Sequence, residues 1–374
     1  MKRSLLLASI LILFLIVSCL KDDSEPTQVL RTNNPLVTDL DKSINKIVAP
    51  YAKIYTTAGV SIGIFKNNQT SFYGYGETKK GNEVIPDSET MYEIGSITKT
   101  FTALLTVDYL LTNSLTLETP INSFLPLAIP PLQYNGNSIM VKHLLNHTSG
   151  LPRLPEDFQE GMNPNNPYKH YDSLKVYNYL KNYVLSANPG QKWEYSNLGV
   201  GLAGLILERK NHKSYEQLLL EKICTPLGLS KTKITLNSID SSNFAVGYTS
   251  FGTQVPYWDD MNAYKGAGAI RSNANDMINY GKAILNSDSS PLKTQIETCL
   301  NVTYEDINVK MASGWIKQNI NGNDVFLHDG GTGGFSSFII ICKPKNVILV
   351  LLFNNEASYN TGSIINPLIA EVLK

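Results

Sequence analysis

Leu36, Leu40, Ile44, Ile47 and Val48 recur at intervals of three and four residues, which predicts an amphipathic helix opening the fold within 36–53. Two runs, 59–65 and 70–75, flank the polar residues Lys66, Asn67, Asn68 and Gln69 and read as an antiparallel hairpin. The stretch 97–111 is long, apolar and free of Gly and Pro, so it is expected to be a buried helix. From about 113 to 265 the pattern becomes helical pieces broken by Pro, Gly and Asn clusters. The clearest piece is 199–210, where Gly199, Gly201 and Gly204 each cost about 1 kcal/mol relative to Ala and therefore imply close backbone packing. Strand-like segments return at 325–327, 335–342 and 347–353, rich in β-branched and aromatic residues, and a last helix is expected over 362–373.

This order predicts an α+β fold. An antiparallel sheet is built from both chain ends with flanking helices, and a mainly helical lobe is inserted. The expected divisions are 36–112 and 266–374 for the α/β domain and 113–265 for the lobe. No period of 20 to 50 residues repeats, which argues against a solenoid or a propeller.

The first residues change the picture of where the protein works. Met1, Lys2 and Arg3 precede an apolar run over 5–17, about the length of a signal-peptide core and short for a bilayer span. Ile16, Val17, Ser18 and Cys19 resemble a bacterial lipobox, which implies removal of 1–18, lipidation at Cys19 and a cell-envelope lipoprotein on the periplasmic or cell-surface side. Leu20, Lys21, Asp22 and Asp23 resemble the signal of surface-exported lipoproteins, and 19–35 reads as a polar tether. A membrane contact through the lipid is thus expected.

Charge and cysteine content narrow the function classes. The 374 residues carry 32 Lys plus Arg against 32 Asp plus Glu, so there is no broad basic footprint and nucleic acid is not an expected partner. Cys224, Cys299 and Cys342 stand at unrelated spacings, and the five His are scattered without zinc-ligand spacing. Neither a disulfide framework nor a metal or other cofactor is expected.

Candidate chemistry begins at Ser96 and Lys99. An SxxK spacing at the start of a helix puts a hydroxyl and an amine on one face, and a desolvated amine can take the hydroxyl proton. The chain holds five SxxK matches, beginning at Ser18, Ser43, Ser96, Ser230 and Ser290, and of these Ser96 alone opens a long apolar helix. Tyr195, Ser196 and Asn197 form the single YxN and lie at a loop-to-helix junction. They read either as a core Tyr with a helix cap, or as a proton relay near Lys99 with an amide that donates to a substrate carbonyl. His328, Asp329, Gly330 and Gly331 contain the single HxG. They read either as a Gly-rich turn or as a strand along which substrate lies, with a backbone N–H that completes an oxyanion hole with that of Ser96.

SxxK, YxN and HxG in this order resemble the serine beta-lactamase and penicillin-binding protein superfamily, class C-like. YSN with HxG is more similar to its D-alanyl-D-alanine carboxypeptidase, D-aminopeptidase and esterase branch than to true lactamases. The stretches HLLNHTSGLP at 143–152, PGQKWEYSNLGVG at 189–201 and GAGAIRSNANDM at 266–277 support the resemblance over about 36–374.

The resemblance implies a serine hydrolase acting through an acyl-enzyme on an ester or amide, the substrate being a small molecule or a peptide. Ser96 would be the nucleophile, Lys99 its proton partner and Tyr195 the acid and base of the second half-reaction. Asn197 and His328 would hold substrate, and the Gly330–Gly331 backbone would serve the oxyanion hole with Ser96. No site role is expected for His143 or His147. The alternatives are a penicillin-binding carboxypeptidase or a class C-like lactamase, and beyond enzymes a noncatalytic envelope binding protein. His328 has a reference pKa of about 6.5, so it is expected to bind a carboxylate weakly and in a pH-dependent way. Asp329 stands where the family commonly has Thr. Together they suggest a substrate with a neutral or positively charged group beside them.

Overall fold

A computed structural model describes residues 28–357 and 359–374. The expected signal peptide, the lipidation residue Cys19 and most of the tether lie outside the described residues.

The opening amphipathic pattern forms α1 (Asp39–Ala52), closed at its start by a capping box in which Thr38 accepts from the Asp41 N–H. The hairpin is β1 (Gly59–Lys66) and β2 (Gln69–Gly76), and Asn67 and Asn68 turn it with φ of 53° and 60°. Two consecutive left-handed residues match the twist of the strands they join, which is why Asn suits both positions. β3 (Met91–Glu93) leads through a short 3₁₀ turn, Gly95–Ile97, into α2 (Thr98–Thr112). The inserted region carries α3 (Ser173–Asn182) and α4 (Asn197–Asn211), and β4 (Arg271–Asn273) then pairs with β3 before α5 (Ala274–Leu285). The chain ends with β5 (Tyr304–Glu305), β6 (Lys310–Met311), β7 (Ile316–Ile320), β8 (Asn323–Gly331), β9 (Ser336–Cys342), β10 (Val347–Phe353) and α6 (Tyr359–Val372).

The main sheet is antiparallel throughout, in the order β2-β1-β10-β9-β8-β7-β6-β5, so both chain ends build it as the hydrophobic pattern predicts. Every residue of β9 and β10 is buried because both faces are covered. Ile339, Ile341, Ile348 and Val350 meet the core that holds α2 and α5. Phe338, Ile340, Leu349 and Leu351 meet α1 and α6 through Ile44, Val48, Leu368 and Val372. Among the described residues no helix is long and apolar enough to cross a membrane.

The glycines of α4 let backbones meet. A Cβ on Gly204 would stand 3.3 Å from the Gly266 Cα, and one on Gly201 would stand 3.1 Å from the Ala263 carbonyl oxygen. This contact ties the inserted region to the segment leading back into β4, and it sets α4 beside α2.

Candidate active site

Ser96 sits in the turn between β3 and α2, and that turn depends on Gly95. Its φ is +48°, and a Cβ there would lie 2.7 Å from the Gly331 nitrogen of β8. Gly330 is as confined, since its Cβ would lie 2.1 Å from the Ile94 carbonyl oxygen and 2.9 Å from the Ser96 nitrogen. Ser337 of β9 donates to the same Ile94 carbonyl at 2.8 Å. The Ser96 turn and the end of β8 are therefore pressed together at two glycines, which brings the backbones of Ser96 and Gly331 close to each other. Ser96 and Gly331 also line a common cleft of about 270 Å³.

Lys99 lies one turn along, with its Nζ 2.9 Å from the Ser96 Oγ. The Nζ donates to the Ala267 carbonyl at 2.6 Å, and the side chain is wholly buried. Burial, reinforced by the charge of Arg153 and opposed by that of Asp329, holds the Lys99 pKa well below the ordinary lysine value. Desolvation of this kind favours the uncharged amine, the form whose lone pair can take a proton from the serine hydroxyl.

Tyr195 closes the site from the inserted region. Its ring centroid is 5.0 Å from the Lys99 Nζ, and its phenol interacts with the Ser96 side chain. Burial pushes the Tyr195 pKa up, and contact with Ser96 and the charge of Arg153 only partly offset this. The resting group is a phenol rather than a phenolate. Ser196 is the N-cap of α4, its Oγ accepting from the Gly199 N–H at 2.8 Å. The helix-cap reading and the proton-relay reading of this motif are thus compatible: the cap is Ser196, and it sets Tyr195 and Asn197 on either side. Tyr168 holds one end of the Asn197 amide at 3.2 Å, and the other end, Oδ1, is buried without a partner. One Nδ2 N–H of Asn197 is thus engaged by Tyr168, and its Oδ1 is left as an unpaired acceptor.

β8 runs through His328–Gly331, so these residues form a strand and not a turn. His328 is 2% exposed, its Nδ1 lies 2.6 Å from the Asp329 carbonyl oxygen, and burial pushes its pKa down to about 4. The expectation of a charge that titrates near neutral pH is therefore corrected: burial keeps this imidazole neutral. Asp329 is exposed, pairs with Phe338 and points to the other face of β8 from His328. It is not among the residues lining the cleft.

Sequence reading passed over three contributors. His147 is buried and stacks on Tyr195 with ring centroids 4.3 Å apart, and its Nδ1 accepts the Ser196 N–H at 3.1 Å. It supports the tyrosine junction on two sides, unlike His143, which accepts the Met140 N–H at a helix start. Arg153 lines the cleft with its guanidinium carbon 5.1 Å from the Tyr195 ring centroid. Trp258 also lines the cleft, held by donation of its backbone N–H to the buried Glu93 at 2.7 Å. Burial raises the Glu93 pKa to about 7. His147 and Arg153 fall in the HLLNHTSGLP neighbourhood, but nothing in its spacing connects it with a tyrosine some fifty residues on. Among the described residues no cluster of three or more His, Cys, Asp or Glu could hold a metal ion.

The beta-lactamase family model matches residues 44–374. The chain is 27% identical over 307 residues to the D-alanyl-D-alanine-carboxypeptidase/endopeptidase AmpH of Escherichia coli (strain K12), covering 77% of each protein. It is 28% identical over 339 residues to Protein flp of Staphylococcus aureus (strain MRSA252), covering 87% of this chain and 65% of that protein. Its fold is similar to that of beta-lactamase/D-alanine carboxypeptidase from Yersinia pestis, complexed with citrate (TM-score 0.74, 24% identity, covering 88% of this chain and 99% of that one). It is also similar to the protein of that description from Pseudomonas syringae (TM-score 0.77, 20% identity, covering 90% and 99%). With an antiparallel sheet drawn from both chain ends and a lysine and a tyrosine gathered at the side chain of a cleft-lining serine, the chain belongs to the beta-lactamase family and is a serine hydrolase.

Proposed function

We propose that the protein hydrolyses an ester or amide through an acyl-enzyme on Ser96, with an uncharged group of the substrate lying along β8. The observation that carries this reading is the 2.9 Å contact between the Ser96 Oγ and a wholly buried Lys99 whose pKa is held well below the ordinary value. Lys99 takes the hydroxyl proton as the Oγ bonds to the substrate carbonyl carbon. The resulting oxyanion accepts from the N–H groups of Ser96 and Gly331, and loss of one such donor typically costs about 10²–10³ in kcat. As the bond to the leaving group breaks, the Tyr195 phenol supplies its proton and is reprotonated from the Lys99 ammonium. Water then attacks the acyl ester, its proton passing to the Tyr195–Lys99 pair, and Ser96 leaves as the hydroxyl.

The neutral His328 supplies no charge for a substrate carboxylate, and Asp329 adds a negative one nearby, which supports an ester or aminoacyl substrate at this end of the cleft. The names of the relatives favour a D-alanyl-D-alanine peptide instead. kcat/KM on a p-nitrophenyl ester against such a peptide separates the two, and a strong preference for the peptide rejects the first. Intact mass after substrate addition should show an acyl adduct that Ser96→Ala lacks. An equal adduct in the variant removes Ser96 from the mechanism, and no turnover of either substrate class leaves a binding protein.

Location in the envelope through a lipid on Cys19 belongs to the same proposal, supported by the lipobox-like IVSC. Cells fed a labelled fatty acid should label the wild type and not Cys19→Ser; label retained in the variant rejects the anchor.

A further inference from the structure

We infer that Arg153 forms an anion subsite on the wall of the cleft, so that the preferred substrate carries a carboxylate or similar anionic group there. The inference rests on the Ser96 acyl-enzyme reading and adds to it a specificity-determining residue.

Arg153 is placed by its own backbone. Its carbonyl accepts the N–H groups of Asn197 at 3.1 Å and Leu198 at 3.2 Å, so the residue is fastened to the first turn of α4. Its side chain is exposed and lies with its guanidinium carbon 5.1 Å from the Tyr195 ring centroid, lining the cleft together with Ser96, Tyr168 and Asn197. Stacking on a ring orients the planar fork and reduces the freedom lost when it grips an anion.

The charges around it leave this role open. Burial disfavours the charged forms of Lys99 and His328, the other basic groups next to the nucleophile, whereas Arg153 is exposed. Among the described residues no carboxylate lies within ion-pair distance of Arg153. Glu356 also lines the cleft, and its Oε2 accepts the Ser250 N–H at 3.2 Å. Among the described residues Arg153 is the one lysine or arginine lining the cleft beside Ser96, and no carboxylate there pairs with it. On the β8 side His328 is a buried imidazole with a lowered pKa and offers an anion little charge, which leaves the guanidinium as the favourable partner in the cleft. A carboxylate can take two parallel N–H donors from such a fork, a charge-assisted geometry that a hydrated lysine ammonium does not reproduce.

The test uses two pairs of chromogenic esters that differ by one charge. The first pair varies the acyl side, mono-p-nitrophenyl adipate against its methyl ester. The second varies the leaving group, 4-carboxyphenyl acetate against 4-carbamoylphenyl acetate. Arg153 also acts on the Lys99 pKa, so the readout is the ratio of kcat/KM for the anionic to the neutral member, in which any shared loss cancels. Arg153→Gln should lower this ratio about tenfold or more in at least one pair. Arg153→Lys should restore part of it, and Arg153→Glu should lower it further. A ratio unchanged by Arg153→Gln in both pairs overturns the subsite. Failure of the underlying reading looks different: the wild type then forms no acyl adduct with any of the four esters, or Ser96→Ala turns them over as fast.

Discussion

Adding one methyl group at Gly330 tests how closely the nucleophile turn and β8 must fit. The new Cβ would stand 2.1 Å from the Ile94 carbonyl oxygen, 2.5 Å from the Ser337 Oγ and 2.9 Å from the Ser96 nitrogen. A carbon atom needs about 3.3 Å from a carbonyl oxygen, so β8 must retreat by roughly 1 Å. Nothing flexible can yield instead, because the Ile94 carbonyl is backbone and also accepts from Ser337. Overpacking of this kind costs about 1–3 kcal/mol of stability. The functional loss is larger in proportion, since a displacement near 1 Å parts the two oxyanion donors and is worth about 10²-fold in rate. Gly330→Ala should therefore remain folded, with its urea midpoint lowered, while kcat/KM on a p-nitrophenyl ester falls about 100-fold. Gly331→Ala is the steric comparison: nothing lies within 4 Å of its Cβ, so its urea midpoint should stay near the wild type and its loss of activity should be the smaller. Gly330→Ala within about threefold of wild-type kcat/KM would refute the placement of the oxyanion donors at this junction.

Lys99 must be uncharged to accept a proton, so kcat/KM should be lost as pH falls through its depressed pKa. Asp329→Asn, by removing the charge that favours the ammonium, should move this acidic limb to lower pH, and a shift to higher pH would contradict the electrostatics. His328, with its pKa near 4, gains charge only below that pH, so the ratio of kcat/KM for anionic and neutral esters should stay flat between about pH 5.5 and 8. A step in that ratio near pH 6.5 would mean an ordinary, solvated imidazole. His147→Leu removes both the ring stacked on Tyr195 and the acceptor of the Ser196 N–H, which should cost about 1–3 kcal/mol of stability for the orphaned donor. Its kcat should fall more than its KM rises, and kcat at the wild-type level would show that Tyr195 needs no such support.

Much of the architecture was legible because it is written in local periodicity. The hairpin at Asn67 and Asn68, the apolar run behind Ser96 and the unbroken hydrophobic strands β9 and β10 each announce themselves within fifteen residues. Ser96 stood out among the SxxK matches for the same local reason, since it opens a long apolar run. His328 shows where such reading stops. Its residue type suggested titration near neutral pH, but its pKa is decided by the groups that bury it.

The sequence by itself determined the order of helices and strands, the sheet drawn from both chain ends, and the residue types able to do acyl-transfer chemistry. Those follow from side-chain periodicity and intrinsic reactivity, properties a residue carries with it. Only the tertiary structure decided which amine is desolvated, which imidazole stays neutral, that His147 stacks on Tyr195, and that Arg153 lines the cleft with no carboxylate paired to it among the described residues. Charge and proton affinity depend on desolvation and on neighbours brought from distant parts of the chain, and those distances exist only once the chain has folded.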